Sequence, residues 1–261
     1  MKILAWNIQQ GGGGRRERIG TAILAHRPDL IALIEFVPNS SASLVELLHR
    51  NGFTEKLCSE RQGFNYAVCV FSKSPIQRHL SGISLLEDSG LWLEVSVPAH
   101  GFRLGVLHAP TSSRLRMREY LSALVTVAEK RSRRSFLFVG DFNTGEPPDD
   151  GPIKNFGDVD RFTSLQTAGF TDVWRHLHPG CIEYTWCRNG KSYRIDHALA
   201  SASLLPRIER CIYSHGEREC GSSDHSVLLL EVSDYPAGVA EEEGFEPPDE
   251  FPHQRFSRPP R

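Results

Sequence analysis

Six short polar signatures close or open apolar runs of strand length in this chain. They are Trp6-Asn7, Ile34-Glu35, Leu107-His108, Gly140-Asp141-Phe142-Asn143, Arg194-Ile195-Asp196-His197 and Ser223-Asp224-His225. Together they supply carboxylates, amides and imidazoles, with no convincing covalent nucleophile. That inventory suits hydrolysis at phosphorus. It offers oxygen ligands for a hard divalent cation, a carboxylate to take a proton from water, and N–H donors for phosphate oxygens. Glu35 is the best single ligand candidate, because hard cations need anionic oxygen. Asp141 and Asn143 follow the apolar run Phe136 to Val139. Residues two apart on an extended segment point the same way, so both are expected to face one point, with Phe142 turned into the core.

The elements that must position these groups are legible from pattern. Lys2 to Trp6 reads as a buried strand, and Gly11 to Gly14 as a flexible loop. Helices are predicted at Arg15 to Ala25, Ala42 to Arg50, Arg116 to Lys130 and Phe162 to Ala168. In the third, Tyr120, Leu121, Leu124 and Val127 fall on one face. Early strands are predicted at Asp29 to Ile34, Tyr66 to Ser72, Leu91 to Val97 and Phe102 to Leu107, the last two forming an antiparallel pair. Later ones are Phe136 to Val139, Thr185 to Cys187, Ile195 to Ala200, Glu209 to Tyr213 and Val227 to Val232. Mixed strands and helices without repeats predict an α/β sandwich.

The order and spacing of the signatures resemble the endonuclease/exonuclease/phosphatase family, which includes DNase I-like and exonuclease III-like enzymes. The resemblance spans Met1 to Val232. It implies a four-layer sandwich, two packed mixed β-sheets flanked by helices, with the site at one edge where strand ends meet. It implies that Glu35, with Asn7 and Asp224, holds Mg²⁺ or Mn²⁺, which the residues do not separate. Asp141 is then the base for water, and Asn143 and His225 stabilise the charge on phosphorus. Asp196 holds His225, raising its pKa and fixing its tautomer. His108 assists at the leaving group or phosphate; exonuclease III-like enzymes usually have Tyr here, and DNase I-like ones His. The glutamate on which that histidine leans in DNase I has no match in Gly63-Phe64-Asn65-Tyr66, and Glu60 is displaced. His197 stands where the family usually has an aromatic. It is read as a surface or capping residue rather than a catalytic one.

Substrate contacts are expected from Arg114, six residues after His108, and from Arg15 and Arg16 beside the glycine loop. Trp186, in Tyr184-Thr185-Trp186, is a candidate to stack on a base or sugar, although a place in the core is the commoner outcome for such an aromatic. The short loop Cys187 to Tyr193 weighs against abasic-site cleavage. DNA is the favoured substrate. A phosphoinositide, sphingomyelin or other small phosphoester is the alternative, disfavoured because no apolar membrane-docking loop is visible.

The 261 residues carry a formal net charge of −2 and 39% apolar residues, so no global basic signature for nucleic acid exists. A local patch and a metal suffice for phosphodiester binding. Residues 1–233 read as the catalytic domain. From Asp234 the chain turns Pro- and Glu-rich and reads as a disordered tail. No signal peptide or membrane span is visible, so a cytoplasmic monomer with no obligatory protein partner is expected. The cysteines at 58, 69, 181, 187, 211 and 220 lack a Cys-x-x-Cys pair and are expected to be mostly buried thiols. Cys181 and Cys187 are the first pair to test for a bridge in an exported protein.

Overall fold

The computed structural model describes residues 1–59, 66–81, 83, 91–152 and 156–234. Two six-stranded sheets face each other. The first contains β1 (Lys2–Asn7), β2 (Leu30–Phe36), β3 (Glu55–Cys58), β4 (Ala67–Ser72), β13 (Ile208–Ser214) and β14 (Val227–Val232), in the order β13-β14-β1-β2-β4-β3. The second contains β5 (Gln77–His79), β6 (Trp92–Val97), β7 (Phe102–His108), β8 (Phe136–Asp141), β9 (Phe170–Asp172) and β12 (Asp196–Ser201), in the order β5-β6-β7-β8-β12-β9. The pairs β1–β2 and β7–β8 are parallel and the rest antiparallel. A separate hairpin joins β10 (Trp186–Arg188) to β11 (Lys191–Tyr193).

The period-two alternation of the strands sorts each one between two cores. In β1, Ile3 and Ala5 enter the core between the sheets, while Leu4 and Trp6 pack outward with Ile19, Ile23, Leu44 and Leu48. Those four belong to α1 (Arg16–Ala25) and α2 (Ala42–Arg50). In β8, Leu137 and Val139 face inward, while Phe136 and Phe138 meet α3 (Arg114–Arg131) and α4 (Val159–Thr167). The strands are therefore apolar on both sides and show little alternation in sequence. This is the four-layer sandwich that the sequence resemblance implied.

Local differences from the sequence reading have local causes. The stretch Gly11 to Gly14 lies in a kinked 3-10 segment, Gln10–Arg15, in which Gly11 and Gly12 are buried with positive φ. Helix α3 starts two residues earlier than predicted, because Ser113 caps it by accepting from the Arg116 amide. β3, β5, β9, β11 and α5 (Val173–Leu177) were missed; at three to five residues they are too short for periodicity to register.

The cysteine expectation is corrected. Cys58 and Cys69 form a disulfide between directly opposed positions of β3 and β4. Of the other four, only Cys211 is buried, and Cys181 and Cys187 are unpaired. The chain segment 60–65, which includes Glu60, lies outside the described residues. So does 235–261, nearly all of the expected tail; its first residue, Asp234, accepts from His100 Nδ1 at 2.8 Å.

Candidate active site

Strand parity carries the catalytic candidates to one place. Asn7 continues the inward row Ile3, Ala5; Asp141 continues Leu137, Val139; His108 continues Leu104, Val106. Asp196 begins the inward row of Ala198 and Ala200. Each side chain is thus the last or first member of a core row, where the apolar layer ends. Glu35 is the exception. Alternation would turn it outward with Ile31 and Leu33, but its φ is +56° and the β2–β4 register shifts between Leu33 and Phe36. This bulge re-aims the carboxylate toward the other groups. Gln9, Gln10 and Asn143 also have positive φ, so left-handed backbone clusters around the site.

The groups form one continuous network. Asn7 Nδ2 donates to Glu35 Oε1 at 3.2 Å and to Asp141 Oδ2 at 3.0 Å. The Gln10 amide holds Glu35 Oε2 at 2.7 Å, and the Gln9 amide holds Asn7 Oδ1 at 3.0 Å. Asp141 Oδ1 accepts from the Asn143 amide at 2.9 Å. His108 Nε2 lies 3.8 Å from both Glu35 Oε1 and Asp141 Oδ2. His225 Nε2 lies 3.7 Å from Asp141 Oδ2, and its Nδ1 meets Asp196 Oδ2 at 2.9 Å. The Thr185 hydroxyl donates to Asp196 Oδ2 at 2.6 Å and accepts the Ile195 and Asp196 amides, both at 3.1 Å. Tyr213 donates to the Asp196 carbonyl at 2.7 Å. Ser223 ties the last signature to the first through the Asn7 carbonyl at 2.6 Å, and the Trp6 indole binds the His225 carbonyl at 3.0 Å.

Burial and charge set the protonation states. Burial pushes Asp141 up; His225 pulls it down and Asp196 pushes it up again, leaving it at about 6. Burial alone would lower His225, but Asp196 and then Asp141 raise it to about 10. His225 is therefore an imidazolium across the neutral range. With Nδ1–H spent on Asp196, its Nε2–H is the donor left for the cleft.

A cleft of about 540 Å³ opens over these groups. Glu35, His108, Asp141, Asn143, Asp224 and His225 lie in its lining, with Gln9, Gln10, Tyr66, Phe156, Trp186 and Tyr193 around them. Trp186 and Tyr193 stack with centroids 5.5 Å apart and planes 6° apart, and Phe156 meets Tyr193 edge-on at 5.6 Å.

The family model of the endonuclease/exonuclease/phosphatase family matches residues 4–225. The chain belongs to that family. Curated relatives include an exodeoxyribonuclease of Streptococcus pneumoniae, 25% identical, covering 89% of this chain and 99% of its own. An exodeoxyribonuclease of Bacillus subtilis is 24% identical, covering 89% and 100%. Among solved structures, an AP endonuclease from Archaeoglobus fulgidus superposes with a TM-score of 0.77 at 21% identity, over 89% of this chain and 99% of that one. A 3′ phosphatase from Neisseria, bound to a product DNA hairpin, gives 0.75 at 21% identity, over 89% and 99%. The member of the family described here is a phosphoester-hydrolysing enzyme.

Two groups of side chains in this family member could hold a divalent cation. Asp141, Asp196 and His225 bring ligand atoms within 4.8 Å of one another. Both Asp141 oxygens and both Asp196 oxygens also accept hydrogen bonds, as do both Glu35 oxygens and the Asn7 carbonyl oxygen. Glu35, Asn7 and Asp224 form an all-oxygen set, the donor chemistry Mg²⁺ and Mn²⁺ prefer. Asp224 Oδ1 is buried with no hydrogen-bond partner among the described residues, an orphan that a cation would satisfy.

The expected arginines are spent on turn carbonyls or exposed, and Asn143 and His108 reach the cleft by their own routes. The Arg15 guanidinium donates to the carbonyls of Ser222, Gln9 and Gly12, bracing the loops that carry Asn7 and Asp224. Arg16 binds the Gly11 carbonyl and Ser40. Arg114 is exposed at the first position of α3, just past the cleft-lining Thr111 and Ser112. Asn143 does not continue the Asp141 row, because β8 ends at Asp141 and Asn143 has φ +51°. Its Nδ2 donates to the Ala109 carbonyl at 2.9 Å. His108 Nδ1 is buried without a hydrogen-bond partner among the described residues.

His197 is not a surface residue. It points outward from β12 into the helical layer, fully buried between Phe142, Phe162 and Asp172. The sequence reading missed Thr185, Tyr213, Ser223, Tyr193 and Phe156. Thr185 and Ser223 were visible within Tyr184-Thr185-Trp186 and Ser223-Asp224-His225; Tyr213, Tyr193 and Phe156 carried no local signal.

Proposed function

We propose that this enzyme is a divalent-cation-dependent phosphodiesterase acting on DNA. The observation that carries the reading is the continuous network from Glu35 through Asn7 and Asp141 to His225 and Asp196 at the floor of an open cleft. The exodeoxyribonuclease names of the curated relatives favour DNA, as does the DNA hairpin held by a structural neighbour.

Glu35, Asn7 and Asp224 would hold Mg²⁺ or Mn²⁺. When bound, such a cation neutralises charge on the scissile phosphate and polarises its P–O bonds. Asp141, ionised above about pH 6, takes the proton from the attacking water. The His225 imidazolium donates Nε2–H to a phosphate oxygen as negative charge builds there. Asn143 retains one amide N–H for the same phosphate. His108, lying between Glu35 and Asp141, contacts the phosphate or the leaving oxygen. Trp186, Tyr193 and Phe156 offer aromatic faces to a sugar or base beside the reacting phosphate, and Arg114 contacts the backbone beyond it.

The test is a substrate panel with Mg²⁺ or Mn²⁺, and EDTA as control: plasmid, single-stranded DNA, an abasic duplex, RNA and a phosphoinositide. Hydrolysis of DNA is expected, abolished by EDTA and by Asp141→Asn or His225→Ala with folding intact. Turnover of the phosphoinositide alone, or full activity in both variants, would refute the reading.

A further inference from the structure

The hairpin β10–β11 joins the aromatic wall of the cleft to one cation-binding candidate. The Trp186 indole Nε1 donates to Asp224 Oδ2 at 3.1 Å. The Arg188 guanidinium lies 3.6 Å from the same oxygen. The main chain repeats the connection: the Cys187 amide donates to the Asp224 carbonyl at 3.2 Å, and Trp186 and His225 form a β-bridge. On its other side Trp186 pairs with Tyr193 across the hairpin, and the two rings stack. One carboxylate oxygen of Asp224 is thus committed to the indole, while the other, Oδ1, is buried and has no hydrogen-bond partner among the described residues.

We infer that Trp186 is a positioning residue that couples nucleoside stacking to cation binding. Its N–H holds Asp224 Oδ2 and so leaves Oδ1 as the oxygen offered to a cation. Its ring is part of the surface on which a sugar or base packs. A substrate that orders the indole also orders Asp224, and a cation that fixes Asp224 orders the indole, so each tightens the other. Ligand-orienting hydrogen bonds of this kind commonly contribute about tenfold to metal affinity. The inference rests on the phosphodiesterase reading and adds a linkage to it.

The experiment is a Mn²⁺ titration followed by electron paramagnetic resonance, with and without a phosphorothioate oligonucleotide. It compares the intact chain with Trp186→Phe, which keeps an aromatic ring and removes the donor. Trp186→Phe is expected to bind Mn²⁺ about tenfold more weakly and to lose the tightening that the oligonucleotide gives the unaltered enzyme. Unchanged Mn²⁺ affinity in a folded Trp186→Phe would overturn the inference, as would undiminished tightening by the oligonucleotide. A second measurement needs no variant. Of the four tryptophan indole N–H resonances, that of Trp186 must shift on addition of Mg²⁺ and again on addition of oligonucleotide; an unmoved resonance would overturn the coupling. Failure of the unaltered enzyme to bind Mn²⁺ or cleave DNA would instead sink the underlying reading.

Discussion

The ion pair between His225 and Asp196 makes a quantitative prediction. The imidazole is buried, which by itself would favour the neutral ring, yet its pKa rises from 6.5 to about 10. A tenfold change in a protonation equilibrium is worth roughly 1.4 kcal/mol, so the charged form is favoured by about 5 kcal/mol. Asp196 is the largest favourable cause, ahead of Asp141. Asp196→Asn preserves shape and an oxygen acceptor for Nδ1 while deleting the charge. Burial then acts with less opposition, and His225 should titrate below about pH 8. The same coupling stabilises the fold. That stability is fully present below the ordinary histidine pKa and is lost as pH rises through about 10. The assay is an NMR titration of the His225 ring in metal-free protein, paired with kcat/KM against pH. The unaltered enzyme should lose activity below about pH 6 as Asp141 takes up a proton, and hold a plateau toward pH 9. Asp196→Asn should lose about 100-fold at pH 8 and recover part of that near pH 6. A His225 that still titrates near 10 in the variant, or an unchanged profile, would refute the reasoning.

Three further outcomes follow from the groups beneath the site. Thr185→Val removes the donor to Asp196 and the acceptor of two buried amides. It should cost about 2–3 kcal/mol in denaturant unfolding and roughly tenfold in kcat; unchanged values for both would contradict its positioning role. Arg194 is fully buried, pairing with Asp150 at 2.6 Å and Asp172 at 2.8 Å. Burial would raise the Asp172 carboxyl, but Arg194 and His197 hold it well below the usual carboxylate range. Its contribution to stability is therefore present above about pH 4 and lost as pH falls toward the depressed pKa. Asp172→Asn should flatten the acid limb of stability, and Arg194→Met should cost about 3–5 kcal/mol at neutral pH by removing the buried cation between Asp150 and Asp172, which then rely on Arg175 and His197. Thermal melts across pH 2–8 check both.

Much of this arrangement was legible from side-chain alternation. Asn7, His108, Asp141 and Asp196 each extend an inward-facing apolar row, so reading the strands correctly also aims these residues. Glu35 was found by its chemistry and by resemblance, since strand parity alone points it the wrong way and the left-handed bulge leaves no sequence pattern. Asn143 failed the same test in reverse, because the strand stops two residues before it. Arg15 shows a second use of a basic cluster. A cluster beside a glycine loop suggests phosphate, but buried turn carbonyls need donors too, and Arg15 spends its guanidinium on them. His197 was misplaced because the outward face of β12 is covered by helix α4 rather than by water. The disulfide needed a strand pairing between β3 and β4 that spacing along the chain cannot reveal.

The central claim is a division of labour, with Glu35 holding a cation and Asp141 moving a proton within one network. Single-turnover hydrolysis of DNA, titrated with Mg²⁺ for the unaltered enzyme, Glu35→Gln and Asp141→Asn, tests it most directly. Glu35→Gln should raise the Mg²⁺ midpoint at least about tenfold, whereas Asp141→Asn should lower the rate about 1,000-fold with the midpoint little changed. Equal behaviour of the two variants, or hydrolysis independent of Mg²⁺, would contradict the account.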